Sequence, residues 1–346
     1  MRSSLLCLCF FGLFLFTNTG CDDDTGTDPE GPSNFVQGGG FFISLEGTFQ
    51  AGNASLDYFY LAQSTAEGAV FRDRTGLAMG DILQSMALQN GLLYLVVNNS
   101  QKIEIVQADD FEHQGTITGL TSPRYLLPVS NQKAFLTDLF ANQVYVLDLT
   151  TNTVADSIAT DYWTEELVES NDRIFVSQRL SDKILVIDRF TNEIVDSVAV
   201  GYDPSSLVVD RNGAVWALCS GSSEAAAGLY QINQTTLEVE RSLLFDEPLV
   251  TGWPRLITNE EGDQLYYLTD ACYTVSIDAN EVPTEPIIDG NGHQWYALGW
   301  EPQLDHLLLG DAIDFQQMGL AYRYLPDGAP IDSFRVGVIP NGFLSY

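Results

Sequence analysis

Short runs of alternating apolar and polar residues recur along this chain. In VYVLDLTTNTVADSIA (144–159), Tyr145 and Leu147 alternate with Val144, Val146 and Asp148, and a second apolar set follows at Val154, Ile158 and Ala159. Alternation of this length predicts two strands. DLTTN (148–152) lies between them. Its Asp and Asn side chains bond to nearby backbone, and Asn accepts the left-handed conformation, so the segment predicts a tight turn.

The hairpin returns as ILVIDRFTNEIVDSVAV (184–200), YQINQTTLEVERSLL (230–244) and VSIDANEVPTEPII (275–288). Asp188, Asn233 and Asp278 follow Asp148 at successive intervals of 40, 45 and 45 residues. The first three copies share Asp/Asn-x-x-Thr-x-x-Val/Ile, which decays in the fourth. A unit of about 40–45 residues built only from short strands is the signature of a β-propeller blade.

The pattern gives an N-terminal unit with strands near 41–45, 55–61 and 69–72. Six four-strand units follow at 83–117, 125–159, 165–200, 206–244, 255–288 and 294–336. No helix longer than a turn or two is required. IPNGFLSY (339–346) matches DPSSLVVD (203–210), the start of another blade, with Pro340 on Pro204. The last strand is therefore expected to complete the three-stranded first unit. The fold class is all-β: a seven-bladed β-propeller of four-stranded antiparallel blades, its ring closed by the C-terminal strand joining the first blade. The 306 residues from Phe41 onward (346 − 40) supply roughly 44 per blade, as the repeat requires.

Residues 1–20 read as a lipoprotein signal peptide. Arg2 gives the positive end, and the apolar run at 5–16 is too short to span a bilayer, which needs about 20 residues. NTGC (18–21) resembles the lipobox at which bacterial lipoproteins are cut and acylated on Cys, with Asn18 where Leu is usual. Cys21 is the expected lipidation site. Residues 21–40 have little to bury and are expected to form a disordered acidic tether. Residues 41–346 form the propeller.

The formal net charge is −32, from 15 Lys+Arg against 47 Asp+Glu. That argues against nucleic acid as a partner, because phosphate binding needs clustered cations. With 45% hydrophobic residues, the chain can build a sizeable core. Of five cysteines, only Cys219 and Cys272 fall in the propeller. Two readings stay open for them, a disulfide or two separate buried thiols.

In a propeller, the connections between blades share a face with those between second and third strands. The inter-blade connections carry Arg124, Tyr162, Trp163, Tyr202, Trp253, Arg255, His293 and Trp295. Aromatic and Arg residues on convergent loops describe a ligand platform, although the same rings also suit packing between blades. There is no metal-ligand spacing, G-x-S-x-G elbow, glycine-rich phosphate loop or C-x-x-C. No catalytic residue, metal or cofactor is expected, and the chain reads as a binding protein rather than an enzyme.

The repeat resembles YncE-like seven-bladed propellers over nearly all of 41–346. The opening FFISLEGTFQAGNASLDYFY (41–60) is similar to that of the BtuG-type surface lipoproteins of Bacteroidota. The likeness lies in Leu45-Glu46-Gly47 and Gly52-Asn53-Ala54-Ser55-Leu56, with Ser44 where Asn is usual. The resemblance implies a lipoprotein of the outer membrane, anchored at Cys21 and facing the cell surface. It would bind cobalamin or a related corrinoid on the propeller face and pass it to a TonB-dependent transporter. The alternatives are capture of another nutrient (a glycan or siderophore), a protein-interaction scaffold, or a lactonase-type enzyme. The last would need inward metal-binding carboxylates or a His base.

A single acyl chain binds a membrane only marginally, so the several chains of a lipoprotein are what hold it. Cys21→Ser is expected to move the protein into the soluble fraction when cells are fractionated. A variant that stays wholly with the membranes rules out anchoring at Cys21.

Overall fold

The computed structural model describes residues 34–249 and 254–346. The segment read as a signal peptide, Cys21 and Trp253 lie outside the described residues. Each recurring unit folds as an antiparallel sheet, and seven such sheets form the blades of a β-propeller. The hairpin turns follow their sequence chemistry. Asp148 Oδ1 accepts from the N–H groups of Thr150 (2.7 Å) and Thr151 (3.3 Å). Asp188 Oδ1 accepts from Phe190 and Thr191 (2.8 Å each), and Asn233 Oδ1 from Thr235 (2.8 Å) and Thr236 (2.9 Å). Asn152 and Asn192 then take left-handed φ of 55° and 65°, a region Asn tolerates better than most residues.

Successive side chains of a strand point to opposite faces, and neighbouring blades cover both. Ala134 and Leu136 pack into one hydrophobic cluster, while Phe135 between them packs into the next, against Val144, Ile174 and Val176. This is why the inner strands read as near-continuous apolar runs. The outermost strands face solvent; Thr153–Ala159 buries only Ile158.

The last strand of the chain, Pro340–Ser345, pairs antiparallel with Gly40–Leu45 and becomes the innermost strand of the first blade. Phe42 stands opposite Leu344 and Ile43 opposite Phe343. The Phe343 and Phe41 rings meet edge to face, 5.9 Å between centroids. Tyr346 and Gly40 exchange backbone hydrogen bonds of 2.9 and 3.2 Å. Phe343 and Leu344 pack against the clusters on either side of the first blade and stay half-buried.

Four details differ from the sequence reading or complete it. In the first blade the outer strand is Thr65–Glu67, and the segment read as a strand at 69–72 instead opens the short helix Val70–Thr75. Ala69 turns left-handed (φ 55°) with its N–H held by Asp57 Oδ1 at 2.8 Å, and Val70 and Phe71 are buried. In the sixth blade, three strands are followed by a single bridge between Cys272 and Ile288 where a fourth strand is expected. Pro283 and Pro286 remove ladder donors there. The packed domain also reaches back past Phe41. Phe35 is buried against Phe42, Tyr58 and Phe111, with the Arg74 guanidinium 4.7 Å from its ring. Finally, Cys219 and Cys272 are separate buried thiols in different clusters, both pushed up by burial.

Among the described residues no helix is long and apolar enough to cross a membrane. Removing residues 339–346 exposes the edge of Gly40–Leu45 and empties the space filled by Phe343 and Leu344. Loss of one large core side chain costs ~3–5 kcal/mol. The truncated domain is therefore expected to melt at least several degrees below the full chain by calorimetry. An unchanged melting temperature excludes closure through this strand.

Candidate ligand-binding face

The centre of the ring is built by an irregularity of the innermost strands. In six of the seven blades the pairing of that strand slips near its start. Such a bulge leaves residues unpaired and re-aims their side chains. The residues between the paired positions are Gln84, Arg124 with Tyr125, Glu165 with Glu166, Ser205, Tyr296 and Asn341. Arg255 opens the remaining inner strand, Arg255–Thr258.

These side chains bond to one another across the centre. Arg124 Nε donates to Glu165 Oε2 at 2.9 Å, and its two terminal nitrogens donate to Glu165 Oε1 and Gln84 Oε1. Trp163 Nε1 donates to Glu165 Oε2 at 2.7 Å. The Trp163 ring lies 5.6 Å from the Arg124 guanidinium and 4.9 Å from that of Arg179, which is paired with Asp203 at 2.7 and 2.8 Å. Arg255 Nη2 donates to Asn341 Oδ1 at 2.7 Å, and its guanidinium lies 5.7 Å from the Tyr296 ring. Tyr296 Oη donates to Glu46 Oε1 at 3.1 Å. Glu166 Oε2 accepts from the Ser206 hydroxyl (2.8 Å) and the Leu207 N–H (2.9 Å).

Two guanidiniums, Arg124 and Arg255, thus lie among three largely buried carboxylates, Glu46, Glu165 and Glu166. Burial penalises each charge, and only a good partner offsets that. Arg124 and Glu165 form the bidentate pair that does so. Burial raises Glu46 above the ordinary carboxyl range despite the opposing pull of Arg255 and Arg124. Burial also pushes Glu166 up to about 7, against the pull of Arg255 and its two hydrogen-bond donors. Tyr125 is pushed up to about 12, chiefly by burial. Tyr125, Glu166, Arg255 and Asn341 border a cavity of about 170 Å³ within the ring.

Three larger clefts follow one another over the loops of the fourth to sixth blades. The first, about 540 Å³, is lined by Tyr162, Tyr202 and Tyr230. It shares Ala225 and Ala226 with a second of about 620 Å³, which shares the Phe245 to Leu249 loop with a third of about 430 Å³. In the third, Phe245, Tyr267 and Tyr273 stack in a row, with centroid spacings of 5.3 and 5.2 Å and interplanar angles of 22° and 8°. Elsewhere on the ring, carboxylates at strand ends pin the loops. Asp138 accepts from the N–H groups of Ser122 (2.7 Å), Phe140 (2.9 Å) and Ala141 (2.8 Å). Asp311 accepts from those of Gln294 (3.0 Å) and Ile313 (2.8 Å).

The residues singled out in the sequence separate into three groups. Tyr162 and Tyr202 line the first cleft together. Arg124, Trp163 and Arg255 belong to the central network. His293 lies flat on Trp295 (4.2 Å, 15°), with its Nδ1 2.7 Å from Asp311. Trp295 is buried in the core between the sixth and seventh blades, its Nε1 donating to the Asp289 carbonyl at 3.0 Å. The sequence reading missed Gln84, Tyr125, Glu165, Glu166, Tyr296 and Asn341. Their signal was present as paired polar residues (Arg124-Tyr125, Glu165-Glu166, Ser205-Ser206) that break alternation where an inner strand begins.

A family model described as a domain of unknown function, DUF5074, matches residues 39–312. No curated protein sequence matches the chain. Among solved structures, the chain is similar to a quinoprotein alcohol dehydrogenase-like protein of Bacteroides thetaiotaomicron, at 15% identity and a TM-score of 0.72 over 90% of this chain and 79% of that one. It is also similar to a candidate 6-phosphogluconolactonase of Bacteroides fragilis, at 10% identity and a TM-score of 0.67 over 88% and 97%. A protein of Lactobacillus plantarum matches at 15% identity and a TM-score of 0.66 over 88% and 99%. At these identities the likeness is one of fold, and fold does not carry function.

Glu166 gives the centre a pH signature. An acid whose pKa is raised on folding holds its proton more tightly in the folded state. Stability therefore falls as pH rises from the ordinary carboxyl range to about 7. Glu166→Gln is expected to flatten that decline and to raise the melting temperature at pH 8 relative to the parent. A variant that keeps the parent's profile between pH 5 and pH 8 rejects titration of Glu166 in this window.

Proposed function

We propose, for a chain that belongs to the family described as domain of unknown function DUF5074, a surface lipoprotein that captures a large nutrient on its loop face. The opening segment points to cobalamin or a related corrinoid, passed on to a TonB-dependent transporter of the outer membrane. The observation that supports this reading is the row of three adjoining clefts, about 540, 620 and 430 Å³, lined in turn by Tyr162, Tyr202, Tyr230, Phe245, Tyr267 and Tyr273. Each cleft alone is the size of a site for an ordinary small molecule. A ligand that fills adjoining clefts is much larger, and a corrin is a broad disc fringed by amides. Tyr offers both to such a ligand, an apolar ring face and a hydroxyl. Ser181 and Lys183 add polar atoms in the first cleft.

A hydrolytic reading has one observation in its favour. Burial pushes the Glu166 carboxyl up to about 7 inside the ring, near the range where a general base works best. Turnover of a simple lactone by the purified protein, lost in Glu166→Gln, favours that reading over capture.

Calorimetric titration of the mature protein with cyanocobalamin tests the capture reading. Tyr202→Ala combined with Tyr273→Ala is expected to weaken binding at least tenfold, about 1.4 kcal/mol. Absence of heat and of any spectral shift at micromolar protein excludes a corrinoid. Glycans and siderophores are then the ligands to titrate.

A further inference from the structure

We infer that the centre of the ring holds a second, smaller site, built for a monocarboxylate with a compact apolar body, of about the size of benzoate or valerate. It is independent of the clefts on the loop face and does not rest on the corrinoid reading.

The argument begins with Arg255. Of the two guanidiniums in the central network, Arg124 is already taken by Glu165 in a two-pronged pair. Arg255 donates to the neutral amide of Asn341 at 2.7 Å and rests 5.7 Å from the Tyr296 ring. Among the described residues its one hydrogen-bond partner is this amide, and it forms no ion pair with a carboxylate. A guanidinium carries five donors in a rigid fork that matches a carboxylate; that of Arg255 feels the charges of Glu166 and Glu165 but forms an ion pair with neither. The space beside it is a cavity of about 170 Å³.

The lining of that cavity is mixed. Arg255, Glu166, Tyr125 and Asn341 are polar; Met86, Ile257, Leu298 and Phe343 are apolar. Arg255, Glu166, Tyr125 and Phe343 keep part of their surface free of protein contact, so the cavity beside them is not filled by side chains. An apolar cavity of about 150 Å³ accommodates a benzene ring. The cavity here therefore has room for a ring or a short alkyl chain among its apolar lining residues, with a charged head at Arg255. Inorganic phosphate suits it poorly. It has no apolar body, and a second negative charge meets Glu46, Glu165 and Glu166 nearby.

Glu166 sets the pH dependence. It faces Arg255, Glu165 and Tyr125 besides the Ser206 hydroxyl and Leu207 N–H; Arg255 in turn faces Tyr296, and Glu46 and Arg124 lie beyond. Deprotonated, Glu166 competes with the incoming carboxylate for Arg255. Protonated, it adds a donor. Affinity for the ligand is therefore expected to rise as pH falls from 8 to 6, while the ligand itself stays ionised.

The experiment titrates the mature protein with sodium benzoate and sodium valerate at pH 6 and pH 8 by ligand-observed NMR and calorimetry. Benzamide and inorganic phosphate serve as controls. The expected result is binding of a carboxylate at least fivefold tighter at pH 6, with no comparable binding of benzamide or phosphate. Arg255→Met is expected to abolish it, and Glu166→Gln to keep it with the pH dependence lost. Ile257→Phe narrows the cavity while leaving Arg255 in place, and is expected to abolish binding by a second route. No binding of either carboxylate at millimolar concentration overturns the inference. So does equal binding of benzamide, or binding that survives both Arg255→Met and Ile257→Phe.

Discussion

Everything in this fold depends on closing the ring. A blade is a sheet with two apolar faces, as Phe135 and its neighbours Ala134 and Leu136 illustrate by packing into different clusters. Such a sheet is covered only if another blade stands on each side, so an open row leaves two raw faces and two unpaired edges. Here the last strand, Pro340–Ser345, pairs with Gly40–Leu45 and shares one sheet between the two ends of the chain. Backbone hydrogen bonds then cross the seam in place of side-chain contact alone. Such pairing joins the most distant parts of the chain, and its loop-closure entropy must be overcome before the contacts form.

Closure also decides what the centre can be. Seven inner strands converge there, and bulges in five of them turn polar residues toward one another, while that in a sixth leaves Ser205 bonded to its own blade. Polar groups buried together are tolerable only when they satisfy each other. Arg124, Glu165, Gln84 and Trp163 do so closely; Arg255 and Glu166 less completely. The well-paired part stiffens the mouth of the ring. The less satisfied part is where a small guest has most to gain. Loops carried on a rigid scaffold are where binding residues are usually found, and the three clefts lie over the loops of the fourth to sixth blades.

By itself the sequence determined the architecture and the turns. The repeat interval, the alternation within each run and the Asp/Asn turn chemistry are local properties, and they survive into the structure at Asp148, Asp188 and Asn233. The kinship between the last strand and the start of a blade was legible for the same reason, since every blade opens in a similar way. Only the tertiary structure decided which polar and aromatic residues meet. Glu165 and Glu166 look like two exposed charges in a strand until a bulge turns them inward against arginines from other blades. Trp295 reads as a ligand platform until the neighbouring blade covers it. Phe35 has no periodic partner along the chain, and Phe42, Tyr58 and Phe111 bury it from three different segments. Periodicity records which way a side chain leaves its own strand. Burial and charge pairing depend on what another blade brings opposite it, and that partner lies about 40 residues or more away.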